Sequence, residues 1–292
     1  MDLFLQQILN GLVIGSTYAA VAIGFSLVFT VLRVVNFAHP EIFMIGMFAG
    51  LVVGKFISPN PIIVILGSII AASVVALILE RLIIRPLRGR DVLSTLIATL
   101  GVAIMAQNGM AIIAGPDPVQ YPEVIASRPM TFGPLVLTTL QLTNLLLCTV
   151  MLAAVSYYVR RTKFGRATRA IAERPDMAAI FGVDVNLVCQ LSIVIASALG
   201  GVAGVSVGML YGSAWAFVGT LYGLKAFICM LVAGNRHFEG VMIVALMLGV
   251  IESMVTTYAL SSLKDVVAFV ILIGILMFRP SGLFGSYALP KA

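Results

Sequence analysis

Apolar windows of roughly 20 residues, the length a helix needs to cross a bilayer, recur along almost the whole chain. They predict nine helical spans at residues 8–31, 38–57, 61–84, 92–114, 137–159, 187–210, 222–235, 240–260 and 264–279. Most polar intervals between them are short. Residues 115–136 are the longer exception: rich in proline and with almost no net charge, they predict an external loop.

The longest polar interval, 160–186, has a pattern of its own. Gly165 precedes a helix-forming run that Pro175 stops, because proline disfavours helix in the residue before it. Pro175 suits the first turn of a second short helix, and Gly182 is a natural left-handed stop. Ala167, Ala170, Ala178 and Ala179 would give the two helices a small-residue face on which another protein could dock closely.

Nine spans divide as four, one and four around this loop. Repeats at 8–114 and 187–279, joined by a linking span at 137–159, would have opposite topology, which is the arrangement of an inverted repeat. A weak echo accompanies it. The segment Glu41 to Gly50 aligns with Lys225 to Gly234 through Phe43/Phe227, Ala49/Ala233 and Gly50/Gly234. Both segments are short as spans. Pro40 to Gly54 covers about 22 Å at ~1.5 Å per residue, against ~30 Å of hydrocarbon. The residues fit a half-helix that faces a cavity. They also fit one ordinary helix with proline in its first turn. Glycines at spacing four, Gly46, Gly50, Gly54 and again Gly200, Gly204, Gly208, predict faces for close helix packing.

Composition narrows the class. The 292 residues are 61% hydrophobic and 10% charged, where a soluble domain carries about 25% charge. The expected fold is an all-α polytopic membrane protein with no separate soluble domain. The net charge of +6 is topological: ten of eighteen Lys/Arg residues fall in 81–90 and 160–174, which removes the case for nucleic-acid binding. Fourteen of them, including Arg33, Arg236, Arg279 and Lys291, fall on one side of the predicted spans. Lys55, Arg128 and Lys264 fall on the other, so the N-terminus is expected outside and the C-terminus in the cytoplasm. The N-terminal run lacks a basic leader and reads as a retained span. Cys148, Cys189 and Cys229 are isolated in apolar runs and read as packing residues.

Catalytic patterns are sparse. Residues 204–208 match a serine-hydrolase elbow in spelling, but they sit inside a predicted helix rather than a strand-to-helix turn. His39 and His237 are the imidazoles available as bases. No Walker A lysine motif and no cluster at metal-ligand spacing is present in the sequence. Ionisable groups in or at the ends of spans are more informative, because charge there is costly and faces a cavity or a partner. Glu80 and Glu239 adjoin basic loops and suit interfacial salt bridges. Glu41, Lys225 and Glu252, with Asn36, His39, Gln107 and Asn108, suit either helix-to-helix hydrogen bonds or a translocation pathway.

Four ordered motifs then point to a family. Asn36-Phe-Ala-His39 followed by Glu41, the run at 96–108, the loop at 115–122 and the loop pattern at 174–185 resemble the permease subunits of branched-chain amino-acid ABC importers, in the LivH branch. The resemblance implies a type II importer permease fold in a bacterial inner membrane. It implies a pair with a related, LivM-like permease subunit, two cytosolic ABC ATPases and a periplasmic binding protein. The chain would be non-catalytic and hold no cofactor, with ATP and magnesium bound by the ATPases. Arg166, Arg169, Glu173, Pro175, Asp176, Ala178, Ala179 and Gly182 would form the region that docks on the ATPase. Two departures stand out: Pro40, where the family generally has glycine, and the stretch 233–240, where it has a glycine-rich turn. They leave room for another small solute, such as urea or a short amide. A self-sufficient secondary transporter is the main rival, with Glu252 as its ion-coupling carboxylate. An intramembrane hydrolase is disfavoured by the missing strand-to-helix context.

Overall fold

The computed structural model describes residues 2–89, 91–133, 135–234, 238–259, 261–279 and 281–284. Arg90, Arg236, His237 and Lys291 lie outside the described residues, as do residues 235–237 of the turn that departs from the family pattern. The chain is a helical bundle. Among the described residues, eight helices are long and apolar enough to cross a membrane, and Val218–Ala233 is a shorter apolar helix.

The first is α1, Asp2–Leu32, followed by α2, His39–Phe56, and α3, Pro61–Leu79. A π-helical turn, Glu80–Ile84, joins α3 to the short α4, Arg85–Leu87. Next come α5, Val92–Ala114, and α6, Thr139–Arg161. Thr138 and Gln141 close the start of α6 with a reciprocal capping box, which satisfies two backbone N–H groups. Between α5 and α6 lie β1, Val119–Gln120, β2, Pro129–Phe132, and β3, Leu135–Thr138, the last two paired antiparallel. Two short helices follow, α7, Lys163–Glu173, and α8, Pro175–Ile180. The second half holds α9, Val185–Tyr211, β4, Ser213–Ala214, α10, Val218–Ala233, α11, Phe238–Tyr258, and α12, Lys264–Phe278.

The centre is built from α1, α2, α9 and α10. Helix α1 packs along α11 and also touches α9 and α10, while α9 packs along α3 and α2. Glycine sets these distances. A Cβ at Gly46 of α2 would lie 2.5 Å from the Cα of Gly201 in α9. At Gly204 it would collide with the Phe43 carbonyl, so backbone meets backbone and no side chain fits between. Gly50 and Gly54 face Tyr121 and Pro122, Gly208 faces the Tyr121 ring, and Gly200 lies at ordinary contact distance from Phe43. Gly11, Gly15 and Gly249 make the same kind of approach between α1 and α11.

The outer faces differ. Helix α3 exposes Ile62, Leu66, Ile70 and Ile78, an apolar stripe suited to lipid. Helix α5 packs on α2 and the π-helical turn and leaves most of its length exposed.

This packing predicts a contrast between two Gly→Ala variants. Gly46→Ala should destabilise the protein by about 1–3 kcal/mol, the usual cost of forcing extra atoms into a packed core. Gly101 should tolerate alanine without loss, because a Cβ there would meet nothing within 4 Å. Thermal unfolding of the two purified variants in detergent checks both.

Candidate functional site

Between α1 and α2, and between α9 and α10, the chain passes through six-residue breaks, 33–38 and 212–217. Each break opens on a residue with positive φ, Arg33 at 55° and Gly212 at 64°. Glycine adopts this freely; arginine carries a strain of order 1–3 kcal/mol that the surroundings must hold in place. The contacts at Arg33 do so. Its Nη2 donates to the carbonyls of Ala172 and Glu173, at 2.6 and 2.5 Å, capping the negative end of α7.

Helices α2 and α10 start inside the protein and meet near their N-termini. Gly223 leaves room for the Pro40 ring, and Gly219 leaves room for the Glu41 carboxylate. Asn36 caps the first break by accepting from the Ala38 N–H at 3.1 Å. His39 is buried against Phe25 and Gly24, and neither of its ring nitrogens has a partner among the described residues. Glu41 Oε1 accepts from Gln107 Nε2 at 2.7 Å, and the same nitrogen donates to Thr220 Oγ1 at 2.6 Å. Asn108 is exposed and donates to the Ile104 carbonyl of its own helix.

Lys225 belongs to a different cluster. Its Nζ lies 2.9 Å from carboxylate oxygens of both Glu252 and Asp265, and 3.0 Å from the Tyr18 hydroxyl. Tyr18 in turn donates to Glu252 at 2.8 Å. One cation between two carboxylates ties α10 to α11, α12 and α1. Counted from the helix starts, Glu41 takes the place of Thr220 and not of Lys225: both are the third residue of their helices, and they share a hydrogen-bond donor. Sequence reasoning does not single out Asp265, Tyr18 or Thr220. Asp265 does carry a signal, an acid in the first turn of an apolar helix.

The basic loop folds as two helices. Gly165, Thr168 and Ile171 bury one face of α7, and Ala178 packs inward with Val31, Ile171, Val188 and Cys189. Ala178 is thus part of a core and not of an exposed small-residue face. What α8 exposes instead is Met177, Ile180 and Phe181, the last two 75% and 84% exposed, beside Ala179. Pro175 opens α8. Gly182, at φ 82°, closes it, with Val183 N–H donating to the Ala178 carbonyl. Asp176 and Arg166 are exposed. Arg169 and Glu173 line a cavity of about 450 Å³ with Arg160 and Glu239, which form an ion pair with each other. Glu80 is paired with Arg88 at 3.0 Å and accepts from Gln190. In the loop between α5 and α6, burial pushes the Tyr121 phenol above its ordinary range.

Interrupted helices that start inside a polytopic bundle, next to a two-helix basic loop, are the features of a membrane transport subunit. Sequence comparison gives the family: the profile of branched-chain amino acid transport system permease components matches residues 7–276, and the chain belongs to this family. It is 34% identical to the high-affinity branched-chain amino acid transport system permease protein LivH of Salmonella typhimurium, over 99% of this chain and 97% of that protein. It is 33% identical to the permease protein BraD of Pseudomonas aeruginosa, over 99% and 98%. A probable LivH of Methanocaldococcus jannaschii is 27% identical, over 97% and 94%.

The ion cluster predicts the outcome of Lys225→Met. Removing one partner from a buried pair costs about 3–5 kcal/mol, so this variant should lose stability rather than merely transport more slowly. Adding Glu252→Gln should recover part of the loss. Thermal unfolding of the single and double variants measures the coupling between the two residues.

Proposed function

We propose that the chain is one permease half of an ATP-driven importer for branched-chain amino acids, embedded in the cytoplasmic membrane. The observation that carries this reading is the full-length match to permeases named for that transport. Permeases of such importers work with ATPase and binding-protein partners. The specific assembly proposed is a second, LivM-like permease, two ATPases that bind ATP and magnesium, and a periplasmic binding protein. In this reading the basic loop faces the cytoplasm, in keeping with its six Lys/Arg residues. The two repeats, 8–114 and 187–279, would be related by inversion, a reading supported by the matching breaks before α2 and α10.

The coupling surface of this proposal is α8. Met177, Ile180 and Phe181 are exposed apolar residues on a charged loop, the composition of a protein anchor rather than of a solvated turn. Movement of α8 would carry α7 with it. Arg33, bonded to the last turn of α7, would pass that movement to the break that leads into α2.

Three variants test this. Phe181→Asp should release the ATPases from the purified complex, as loss of an apolar anchor typically costs about 2 kcal/mol or more. Arg33→Met should leave the complex assembled but slow amino-acid uptake in proteoliposomes, by removing two charge-assisted bonds worth roughly 1.5–3 kcal/mol each. Ala179→Cys should react with an impermeant thiol reagent only from the cytoplasmic side; reaction from outside intact cells would reverse the proposed topology.

A further inference from the structure

The meeting point of α2 and α10 holds an unusual balance of charge. Glu41 is 2% exposed, and among the described residues it has no cationic partner. Its Oε1 accepts one hydrogen bond, from Gln107; its Oε2 is buried with none among the described residues. A carboxylate taken out of water without a cation is costly, so something must offset it. The two helix N-termini supply most of it. Each is equivalent to roughly half a positive charge, and together they come near the single charge of Glu41. Gly219 is what lets the α10 terminus approach: a Cβ there would lie 2.7 Å from Oε2 and 2.8 Å from Oε1.

Gln107 Nε2 uses its two hydrogens on Glu41 and Thr220, equivalent positions in the two helices. A positively charged nitrogen bearing hydrogens would find the same two acceptors, and a third in the free Oε2. The cluster also opens outward. Thr220 is exposed, and Phe217, Leu221 and Leu224, one helical face, are exposed beside it. Apolar surface next to a lone carboxylate matches a ligand with an ammonium group and a hydrocarbon side chain.

We propose that Glu41 and Thr220 form a transient site for the ammonium group of the transported amino acid, and that in this conformation the Gln107 carboxamide holds its place. The inference rests on the reading of the chain as a branched-chain amino-acid permease. The helix termini, which offset most of the Glu41 charge, keep the affinity low. A pathway that must release its cargo needs that weakness. The Lys225 cluster cannot serve in the same way, because its carboxylates already hold a cation.

The test is uptake of radiolabelled leucine by the complete transporter in proteoliposomes. Glu41→Gln, which keeps the shape and the bond to Gln107, should slow uptake about tenfold, the loss of one charge-assisted hydrogen bond. Glu41→Asp should recover part of the rate. Gln107→Ala should cause a clearly smaller fall than Glu41→Gln. Uptake by Glu41→Gln at the wild-type rate overturns the proposal, and so does a Gln107→Ala loss as large as that of Glu41→Gln, which would make the pair a structural bridge. If Glu41→Gln does not assemble, Thr220→Val at the exposed edge must slow uptake; an unchanged rate there also overturns it. A wild-type transporter that moves an uncharged amide but no leucine, isoleucine or valine overturns the functional reading, and the ammonium site with it.

Discussion

Inside a bilayer, a backbone that leaves the helix must find its hydrogen bonds within the protein. The organisation of this chain follows from that constraint. The breaks at 33–38 and 212–217 are tolerated because polar partners meet them. Asn36 accepts from Ala38, Thr99 accepts from the Phe37 N–H, and the Gly212 carbonyl accepts from Tyr121. Those partners arrive only because the helices around them approach closely, which the glycines of α2 and α9 permit. The glycine faces, the breaks and the buried start of α2 are one structural solution.

Charge is divided in the same spirit. The Lys225 cluster is charge-paired within the protein and binds four helices together, so its role is to hold α10 and its neighbours in place. Glu41 is the opposite case, a carboxylate offset by backbone dipoles and left with an open lone pair. In the proposed mechanism the first cluster stays fixed while the second is used. Arg33 stands between the moving parts. It is strained, and it bonds the last turn of α7 while beginning the segment that leads to Glu41.

The spans and both loop helices are legible in the sequence, because apolar length, proline and glycine are local signals. The pairing of Glu80 with Arg88 is legible too, since both sit at one basic turn; Glu239 instead pairs with Arg160, at the distant end of α6. Register is not legible. In a chain this apolar, a few shared Phe, Ala and Gly residues align by composition, and they set Glu41 against Lys225 rather than Thr220. Counted from the positive-φ residues that start the two breaks, Arg33 and Gly212, Glu41 and Thr220 take the same place, and arginine gives no local sign of a positive φ. Likewise Ala178 reads as surface in an exposed loop. It is buried because α8 folds back on the ends of α1 and α9, a tertiary contact that periodicity over six residues cannot reveal.

For Glu41 and Thr220 to receive an ammonium group, the junction of α2 and α10 must border a water-filled path rather than lipid or closed core. Thr220→Cys in the assembled transporter measures this directly, by its rate of reaction with a small charged methanethiosulfonate. Reaction with this membrane-impermeant reagent is expected, slowed when leucine-loaded binding protein and ATP drive transport. Labelling by lipid-soluble reagents alone, or by none in any state, would contradict it.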